Sequence, residues 1–235
     1  MTHISRRTAV KGTAVLGLGT AFGGLLASVP TPAAAAESAP AAARERRPTS
    51  HNGWETEKRT NEVSTVWTRP VPGTPCQVDV RIGEVETVLV HVIRRFHYEI
   101  DTLLKGDVMG WRAPAEVHAK RAESNQASGT AVQIRPAFYP AGSRGGFFAP
   151  QLVVIRDILA ELEGVVRWGG DDDRPDESLF YLDVGPSDPA LSRVAGKLRT
   201  WREQPGKGAG SPVDPLSAKR RDLAKALEHR QRGNR

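Results

Sequence analysis

Five carboxylates within seven residues form the densest acidic group in this sequence. Asp171, Asp172 and Asp173 are followed closely by Asp176 and Glu177. Carboxylates at such spacing can hold a hard cation or act as general bases. The run lacks the glycine that a calcium-binding loop has at its sixth position. By itself it therefore indicates a solvated acidic turn rather than a cation site.

The other reactive residue types do not form a known catalytic or metal-binding motif. The sequence contains no His-Glu-x-x-His, Cys-x-x-Cys, Ser-x-x-Lys or Gly-x-Ser-x-Gly pattern. His91 lies among apolar residues and is interpreted as a packed side chain, whereas His97 and His118 stay open as ligands of a relocated metal site. The single cysteine, Cys76, excludes an intrachain disulfide and is interpreted as an unreactive thiol.

A more specific pattern occupies residues 124–136, which read Ser-Asn-Gln-Ala-Ser-Gly-Thr-Ala-Val-Gln-Ile-Arg-Pro. The segment resembles the turn and strand that present two metal ligands in the zinc D-Ala-D-Ala carboxypeptidase and dipeptidase family of wall peptidases. The pattern of that family is Ser-x-His-x-x-Gly-x-Ala-x-Asp. Ser124, Gly129 and Ala131 match it, but Gln126 and Gln133 stand at its His and Asp positions.

A second segment downstream also resembles this family. Residues 164–171 contain the Arg-Trp-Gly-Gly-Asp element that its members carry. One register then places Leu179 at the third ligand position, a histidine in the family, and Asp176 at the general base. A register shifted by one residue places Phe180 and Glu177 there instead. Neither register supplies a histidine.

The resemblance implies a zinc site whose ligands this chain lacks. Peptide hydrolysis by zinc needs three protein ligands, an open position for water and a base. The amides of Gln126 and Gln133 and the aliphatic side chain of Leu179 replace neither imidazole nor carboxylate. We therefore expect no zinc and no other cofactor, and Asp176 is expected to be an idle equivalent of the catalytic base.

The retained parts of the pattern are expected to form the wall of a substrate cleft. Ser124, Gly129, Arg167 and Trp168 are the predicted substrate-binding residues. The Gly-rich, aromatic stretch 138–149 is expected to be an ordered loop over this cleft.

Hydrophobic periodicity places these residues on a small set of elements. Apolar spacing of three and four predicts helices over 83–96, 150–164 and 187–201. Alternation predicts short strands, at 76–81, 97–101, 129–134, 165–168 and 179–184. Together with the resemblance, this indicates one α+β domain in which a small antiparallel sheet packs with helices.

The domain is expected to occupy residues 61–204. Residues 1–36 resemble a twin-arginine signal peptide, with Arg6-Arg7 before an apolar run and small residues at Ala34 and Ala36. Residues 37–60 are interpreted as a disordered spacer. Residues 205–235 are interpreted as a linker and a basic tail whose helix is marginal by itself.

The net charge of the chain without its predicted signal peptide is small. The formal net charge is +6, but removal of the signal leaves 30 basic and 27 acidic residues. So weak an excess makes nucleic acid a poor partner, and no stable membrane anchor is expected after signal cleavage.

The leading hypothesis is an exported, metal-free pseudo-peptidase that binds a peptidoglycan stem peptide or another wall polymer. Two alternatives stay open. The first is an active wall peptidase with a relocated site. The second is an interaction protein whose basic tail, 219–235, binds a partner.

Overall fold

The computed structural model describes residues 47–233, so the predicted signal peptide and residues 37–46 of the predicted spacer lie outside the described residues. The elements follow in chain order. They are β1 (Val66–Pro70), β2 (Gln77–Arg81), α1 (Glu84–Glu99), β3 (Val108–Met109), β4 (Ala131–Ile134), α2 (Ala149–Glu161), β5 (Val166–Trp168), β6 (Leu179–Leu182), α3 (Pro189–Glu203) and α4 (Ala218–Gly233).

The strands form one four-stranded antiparallel sheet and a separate hairpin. The sheet has the order β3-β4-β6-β5, and the hairpin consists of β1 and β2. This arrangement confirms the predicted α+β class with a small antiparallel sheet and helices. Four of the five predicted strands and all three predicted helices are present, each close to its predicted bounds. No helix within residues 47–233 is long and apolar enough to cross a membrane.

Alternation along the central strands gives the sheet two different faces. Val132 on β4 and Phe180 on β6 are fully buried and belong to the main apolar core, which they share with α1 and α2. Ala131, Leu179 and Tyr181 point the other way and form a small cluster of their own. Because side chains alternate with a period of two, each strand contributes both to the core and to the opposite face.

The segment 97–101 was predicted as a strand, and this prediction is wrong. Helix α1 continues to Glu99, and Arg95 donates from Nε to the Glu99 carboxylate one helical turn later, at 2.6 Å, which supports this last turn. The chain leaves the helix when the Leu103 amide donates to Nδ1 of His97, at 2.9 Å. Alternation over five residues was too short to exclude a continuing helix.

The domain extends beyond the predicted boundary at residue 204. Helix α4 packs along α2 and buries Ala224, Leu227 and Gln231. Gly164, at the end of the α2 segment, has φ +85°, and a Cβ there would lie 2.9 Å from the Leu227 side chain. Glycine therefore leaves the space in which α4 docks, and the predicted tail is an element of the fold.

The domain also begins before the predicted boundary at residue 61. From residue 47 the chain lies against the domain, which corrects the expected spacer over that part. Ser50 and Trp54 are buried, and the Trp54 indole donates to the carbonyl of Val184 at 2.8 Å. The side-chain amide of Asn52 donates from Nδ2 to Thr130 Oγ1 and to the carbonyl of Leu182, both at 2.9 Å. Residues 47–60 of the predicted spacer therefore belong to the folded domain.

Candidate ligand-binding cleft

One face of the sheet carries the residues that the sequence singled out. Gln133 on β4 lies directly opposite Leu179 on β6 in the antiparallel register. Tyr181 lies between Ala131 on one side and Arg167 of β5 on the other. Opposed residues of antiparallel strands share a face, so these five side chains form one surface away from the main core.

A cavity of about 510 Å³ lies over this surface. Its size is in the range of sites for small ligands. Leu179, Tyr181 and Ala122 give it an apolar floor, and charges of both signs surround that floor. The charged and titratable lining residues are His51, Lys120, Arg121, Glu123, Arg167, Asp172, Asp173, Arg174, Asp176 and Asp183.

The two glutamines at the expected ligand positions contact each other. Nε2 of Gln126 donates to Oε1 of Gln133 at 3.3 Å and to the carbonyl of Gly110 at 2.9 Å. Nε2 of Gln133 donates to Oδ2 of Asp176 at 2.8 Å. Gln126, Gln133 and Asp176 therefore form a continuous buried chain of hydrogen bonds that ends at the cavity wall.

Asp176 is held in this position by its own turn. Its Oδ1 accepts from the Ser178 amide at 3.1 Å and from the Ser178 hydroxyl at 2.6 Å. The Asp176 amide donates to the carbonyl of Gly169 at 2.9 Å. A Cβ at position 169 would lie 2.7 Å from the Asp176 carbonyl oxygen. Glycine at 169 thus permits the close approach that brings Asp176 to the cleft.

The geometry separates the two registers that the sequence left open. Leu179 lies on the cleft face opposite Gln133, whereas Phe180 pairs with Val132 on the core face. Asp176 contacts Gln133, but the carboxylate of Glu177 accepts from backbone amides of the loop at 145–146, at 2.8 and 2.7 Å. The residues that converge are therefore those of the first register.

Of the four predicted substrate-binding residues, Arg167 alone lines the cavity. Ser124 lies behind its wall, where its hydroxyl donates to the Arg121 carbonyl at 2.7 Å and accepts from the His51 amide at 2.9 Å. Gly129 has φ +70° and packs against Val66. Both are structural neighbours of the cleft.

Trp168 lies on the core face. It is buried, and its indole donates to the Glu177 carbonyl at 2.8 Å. Its ring makes an edge contact with Phe147, with ring centroids 6.0 Å apart. Alternation along β5 explains the difference, because Arg167 and Trp168 are adjacent and must point to opposite faces.

The aromatic loop contributes to packing more than to the cleft. Tyr139 and Phe147 stack with centroids 4.1 Å apart and are buried in the main core. Phe138 and Phe148 are exposed on the surface. Of this loop, Ala141 lines the cavity. The loop is fastened to the acidic turn by Glu177 and by Arg144, which donates to the Asp172 carbonyl at 2.8 Å.

Beside the apolar floor, two carboxylates lie close to the guanidinium of Arg167. Its Nε lies 3.4 Å from Oδ1 of Asp172, and its Nη1 lies 3.7 Å from Oδ2 of Asp183. Burial raises the pKa of the Asp183 carboxyl, an effect that the charges of Arg167 and His51 oppose. Burial and the neighbouring charge of Asp172 raise the pKa of Tyr181. The phenol therefore stays protonated and donates to Asp172, at 3.0 Å.

His51 is the cleft residue that sequence reasoning missed most clearly. It was assigned to the spacer, yet it lines the cavity because Ser50 and Asn52 on either side of it are anchored to the domain. No local pattern could have placed it, since its anchors lie more than 70 residues away. Tyr181 and Asp183 could have been found from the alternation of β6 and its extension.

The residues at the cleft do not fit a zinc ion. The convergent set offers two amides, one carboxylate and one aliphatic side chain, whereas protein zinc sites use Cys, His and acidic ligands. Oε1 of Gln126 is buried and has no hydrogen-bond partner in the described structure. Within residues 47–233 no three His, Cys, Asp or Glu side chains are grouped so as to hold a metal ion.

Comparison of the chain with protein-family models, with curated proteins and with solved structures gives no match.

Proposed function

We propose that this chain has the fold of the zinc D-Ala-D-Ala carboxypeptidase family and acts outside the cytoplasm as a pseudo-peptidase. It binds a peptidoglycan stem peptide, or another wall component, without metal-dependent hydrolysis. One observation carries the proposal. Gln126, Gln133 and Leu179, the three positions aligned with the metal ligands of that family, meet beside Asp176 on the face of the sheet that forms the cavity floor.

The composition of the cavity suits a peptide. A stem peptide presents amide groups, small apolar side chains and carboxylates. The floor formed by Leu179 and Tyr181 can accept apolar side chains, and Arg167 can pair with an acidic group. Acidic residues such as Asp173 and Glu123 can meet amino groups. A cavity with a few directed polar groups on an apolar base is typical of a small-ligand site.

Asp176 is poorly placed to activate water. Its Oδ2 accepts from Gln133, and its Oδ1 accepts two hydrogen bonds from Ser178. A general base needs a free lone pair directed at the water or substrate. In this cleft three of the about four acceptor sites of the carboxylate already hold the turn and the glutamine, which leaves one, on Oδ2. Binding is therefore the activity that the arrangement supports.

The test combines binding with analysis of products and metal. Purified mature protein is incubated with purified sacculi and titrated calorimetrically with a synthetic stem pentapeptide. We expect stoichiometric binding that Arg167→Met weakens at least about tenfold, the loss expected for one charge-assisted contact. Arg199→Met is the matched control, because Arg199 is exposed on α3 and does not line the cavity. Elemental analysis should find no stoichiometric zinc.

Three results would contradict the proposal. Absence of binding to both sacculi and pentapeptide would exclude wall recognition by this cleft. One zinc bound per chain would show that the site has other ligands. Release of D-Ala that Asp176→Ala abolishes would favour the alternative, an active peptidase with a relocated site.

A further inference from the structure

The last turn of helix α4 contacts Arg167, one of the residues that line the cleft. Nη2 of Arg167 donates to the backbone carbonyl of Gln231 at 3.1 Å. The side chain of the same glutamine donates from Nε2 to the carbonyl of Val166 at 3.2 Å. Gln231 is 6% exposed. One residue of a helix that was predicted as a tail thus contacts two consecutive residues of β5.

The contact to Val166 is a hydrogen bond to the outer edge of the sheet. Strand β5 is the last strand in the order β3-β4-β6-β5, and its pairing partner β6 lies on one side. The outer carbonyls of an edge strand have no neighbouring strand to bond them. The amide of Gln231 supplies that hydrogen bond at Val166 and fixes the position of the strand that carries Arg167.

The contact to Arg167 sets the direction of its guanidinium. Its ion pairs with Asp172 and Asp183 are long, at 3.4 and 3.7 Å, and its Nε is buried with no hydrogen-bond partner in the described structure. The bond to Gln231 has normal geometry. Gln231 lies in the last turn of α4, where carbonyls lack an intrahelical partner and carry the negative end of the helix dipole. A guanidinium is a favourable partner at that position.

Helix α4 can hold Gln231 in place because it is anchored along its length. Near its start, Arg220 donates from Nε and Nη2 to the Asp157 carboxylate, both at 2.6 Å. In its middle, Leu227 packs over Gly164. The helix is therefore fixed at one end and along its buried side, and its last turn stands at a defined position beside β5.

We infer that Gln231 is a positioning residue for Arg167 in the cleft, and that α4 is the element through which it acts. The consequence for ligand binding rests on the proposed function of the cleft. The placement of the guanidinium does not rest on it, because the hydrogen bonds join residues of the chain itself.

The first experiment needs no ligand. The Nε–H resonance of Arg167 is assigned in a proton–nitrogen correlation spectrum by its loss in Arg167→Lys, and is then compared between Gln231→Leu and Arg230→Leu. Leucine keeps the helix, the volume and the backbone carbonyl that accepts from Arg167, but it cannot donate to Val166, so that carbonyl loses the side-chain bond that holds it beside β5. We expect the Arg167 resonance to shift and the β5 amides to exchange faster in Gln231→Leu. Arg230 is exposed on the same turn, so its replacement should leave both unchanged.

The second experiment is a double-mutant cycle with the stem pentapeptide as probe. Gln231→Leu should weaken binding roughly 3- to 10-fold, the effect of losing one hydrogen bond. In the Arg167→Met background the same change should have no further effect, because the group that it positions is gone.

The outcomes separate the two proposals. An unchanged Arg167 resonance with unchanged β5 exchange in Gln231→Leu would overturn the positioning role, and so would losses of affinity that simply add. If no peptide binds but the resonance shifts, the proposed function fails while the positioning of Arg167 stands.

Discussion

Two neutral amides lie beside the buried carboxylate of Asp176, and their hydrogen bonds account for its position. A buried carboxylate such as Asp176 needs hydrogen-bond donors. Gln133 donates to it from Nε2 and accepts from Gln126 at its Oε1. A carboxylate at position 133 would instead place two like charges side by side without a cation. The neutral amide therefore satisfies Asp176 in the way that an ion would otherwise do.

The convergence of the three substituted positions predicts that a zinc site can be rebuilt. The triple variant Gln126→His, Gln133→Asp and Leu179→His restores two imidazoles and a carboxylate on one face. We expect it to bind one zinc per chain, at least about 100-fold more tightly than the unmodified chain. Isothermal titration with zinc and elemental analysis after dialysis measure the gain.

The matched control uses the other register. Phe180→His replaces Leu179→His in the triple variant, and this histidine would lie on the core face, opposite the two restored ligands. It should show no comparable gain in zinc affinity. Equal zinc binding by the two triple variants would mean that Leu179 is not at the third position.

A buried histidine predicts how stability depends on pH. Nε2 of His91 lies 2.7 Å from Oε1 of Glu161, and Arg95 and Arg94 also face the ring. Burial lowers the pKa of His91, whereas hydrogen bonding to Glu161 opposes that effect. Although burial acts to raise the pKa of Glu161, the hydrogen bond from His91 and the charge of Arg95 lower it to about 2.

The sign follows from the lowered pKa of His91. The unfolded chain protonates this residue near its usual pKa of about 6.5, but the folded chain does so only at lower pH. The free energy of unfolding should therefore be highest above about pH 6.5 and fall as the pH drops below it. Urea unfolding between pH 7.5 and 5.5 measures the slope.

His91→Gln should flatten this slope, because glutamine keeps a donor for Glu161 but does not titrate. His118→Gln is the control, since His118 is exposed and its replacement should leave the slope unchanged. A slope that persists in His91→Gln would assign the pH dependence to other groups.

At the scale of elements, helix α4 shows a form of docking that apolar periodicity does not detect. Its sizeable apolar residues include Leu223 and Leu227, and Leu223 is exposed. Much of its attachment comes from Arg220, which pairs with Asp157 and Glu161 of α2. These carboxylates are buried and also face Arg95 of α1. The helix thus completes a charge network that neither α1 nor α2 completes alone.

This network predicts the cost of releasing α4. Arg220→Met removes one partner of two buried carboxylates and should lower the free energy of unfolding by about 3 kcal/mol. It should also increase hydrogen exchange throughout α4. Arg221→Met is the control, because Arg221 is exposed on the next position and makes no such pair. Equal effects of the two changes on exchange would show that the pairs of Arg220 do not hold α4.

Elements with a regular apolar pattern could be predicted from the sequence, and elements held by polar contacts could not. Helix α1 and strand β4 could be predicted, because their apolar residues repeat with the period of the element that they form. Helix α4 could not be placed, since the partners of Arg220 lie about 60 residues earlier in α2. Segment 97–101 was assigned to the wrong element, because the Arg95–Glu99 pair that continues the helix is polar.

The candidate site divides in the same way. Gln126 and Gln133 could be grouped in advance by the turn-and-strand pattern, and Asp176 and Leu179 by one of the two registers of the downstream segment. His51 could not be assigned to the cleft, because tertiary contacts alone bring it there. Trp168 was assigned to the cleft together with Arg167 because both belong to one motif. Adjacent strand residues point to opposite faces, so only one of the two can line the cleft.

At the scale of the whole molecule, residues near the start of the described chain join strands that come much later. Asn52 connects Thr130, next to β4, with Leu182 of β6. Asn52→Ala should therefore lower the free energy of unfolding by about 1 to 3 kcal/mol, because two polar atoms lose their donor.

The urea midpoint at an unchanged m-value measures this effect. Thr56→Ala is the control, since its hydroxyl bonds to Pro48 at an exposed position, and we expect a change below about 0.5 kcal/mol. A similarly small change in Asn52→Ala would mean that the hydrogen bonds of Asn52 contribute little to the stability of the fold.

Two residues that hold this part of the cleft in place come from opposite ends of the described chain. Asn52 bonds to Leu182, next to Asp183, and Gln231 accepts from Arg167. Asn52 bonds to a residue 130 positions later, and Arg167 to one 64 positions later. Contacts between distant parts of a chain form slowly, because long loops must close first. A nascent chain that stops before residue 231 still lacks the second of these contacts. The cleft is therefore expected to be the last region to mature during folding, and a truncated product would have a sheet before the side chain of Arg167 was held in place.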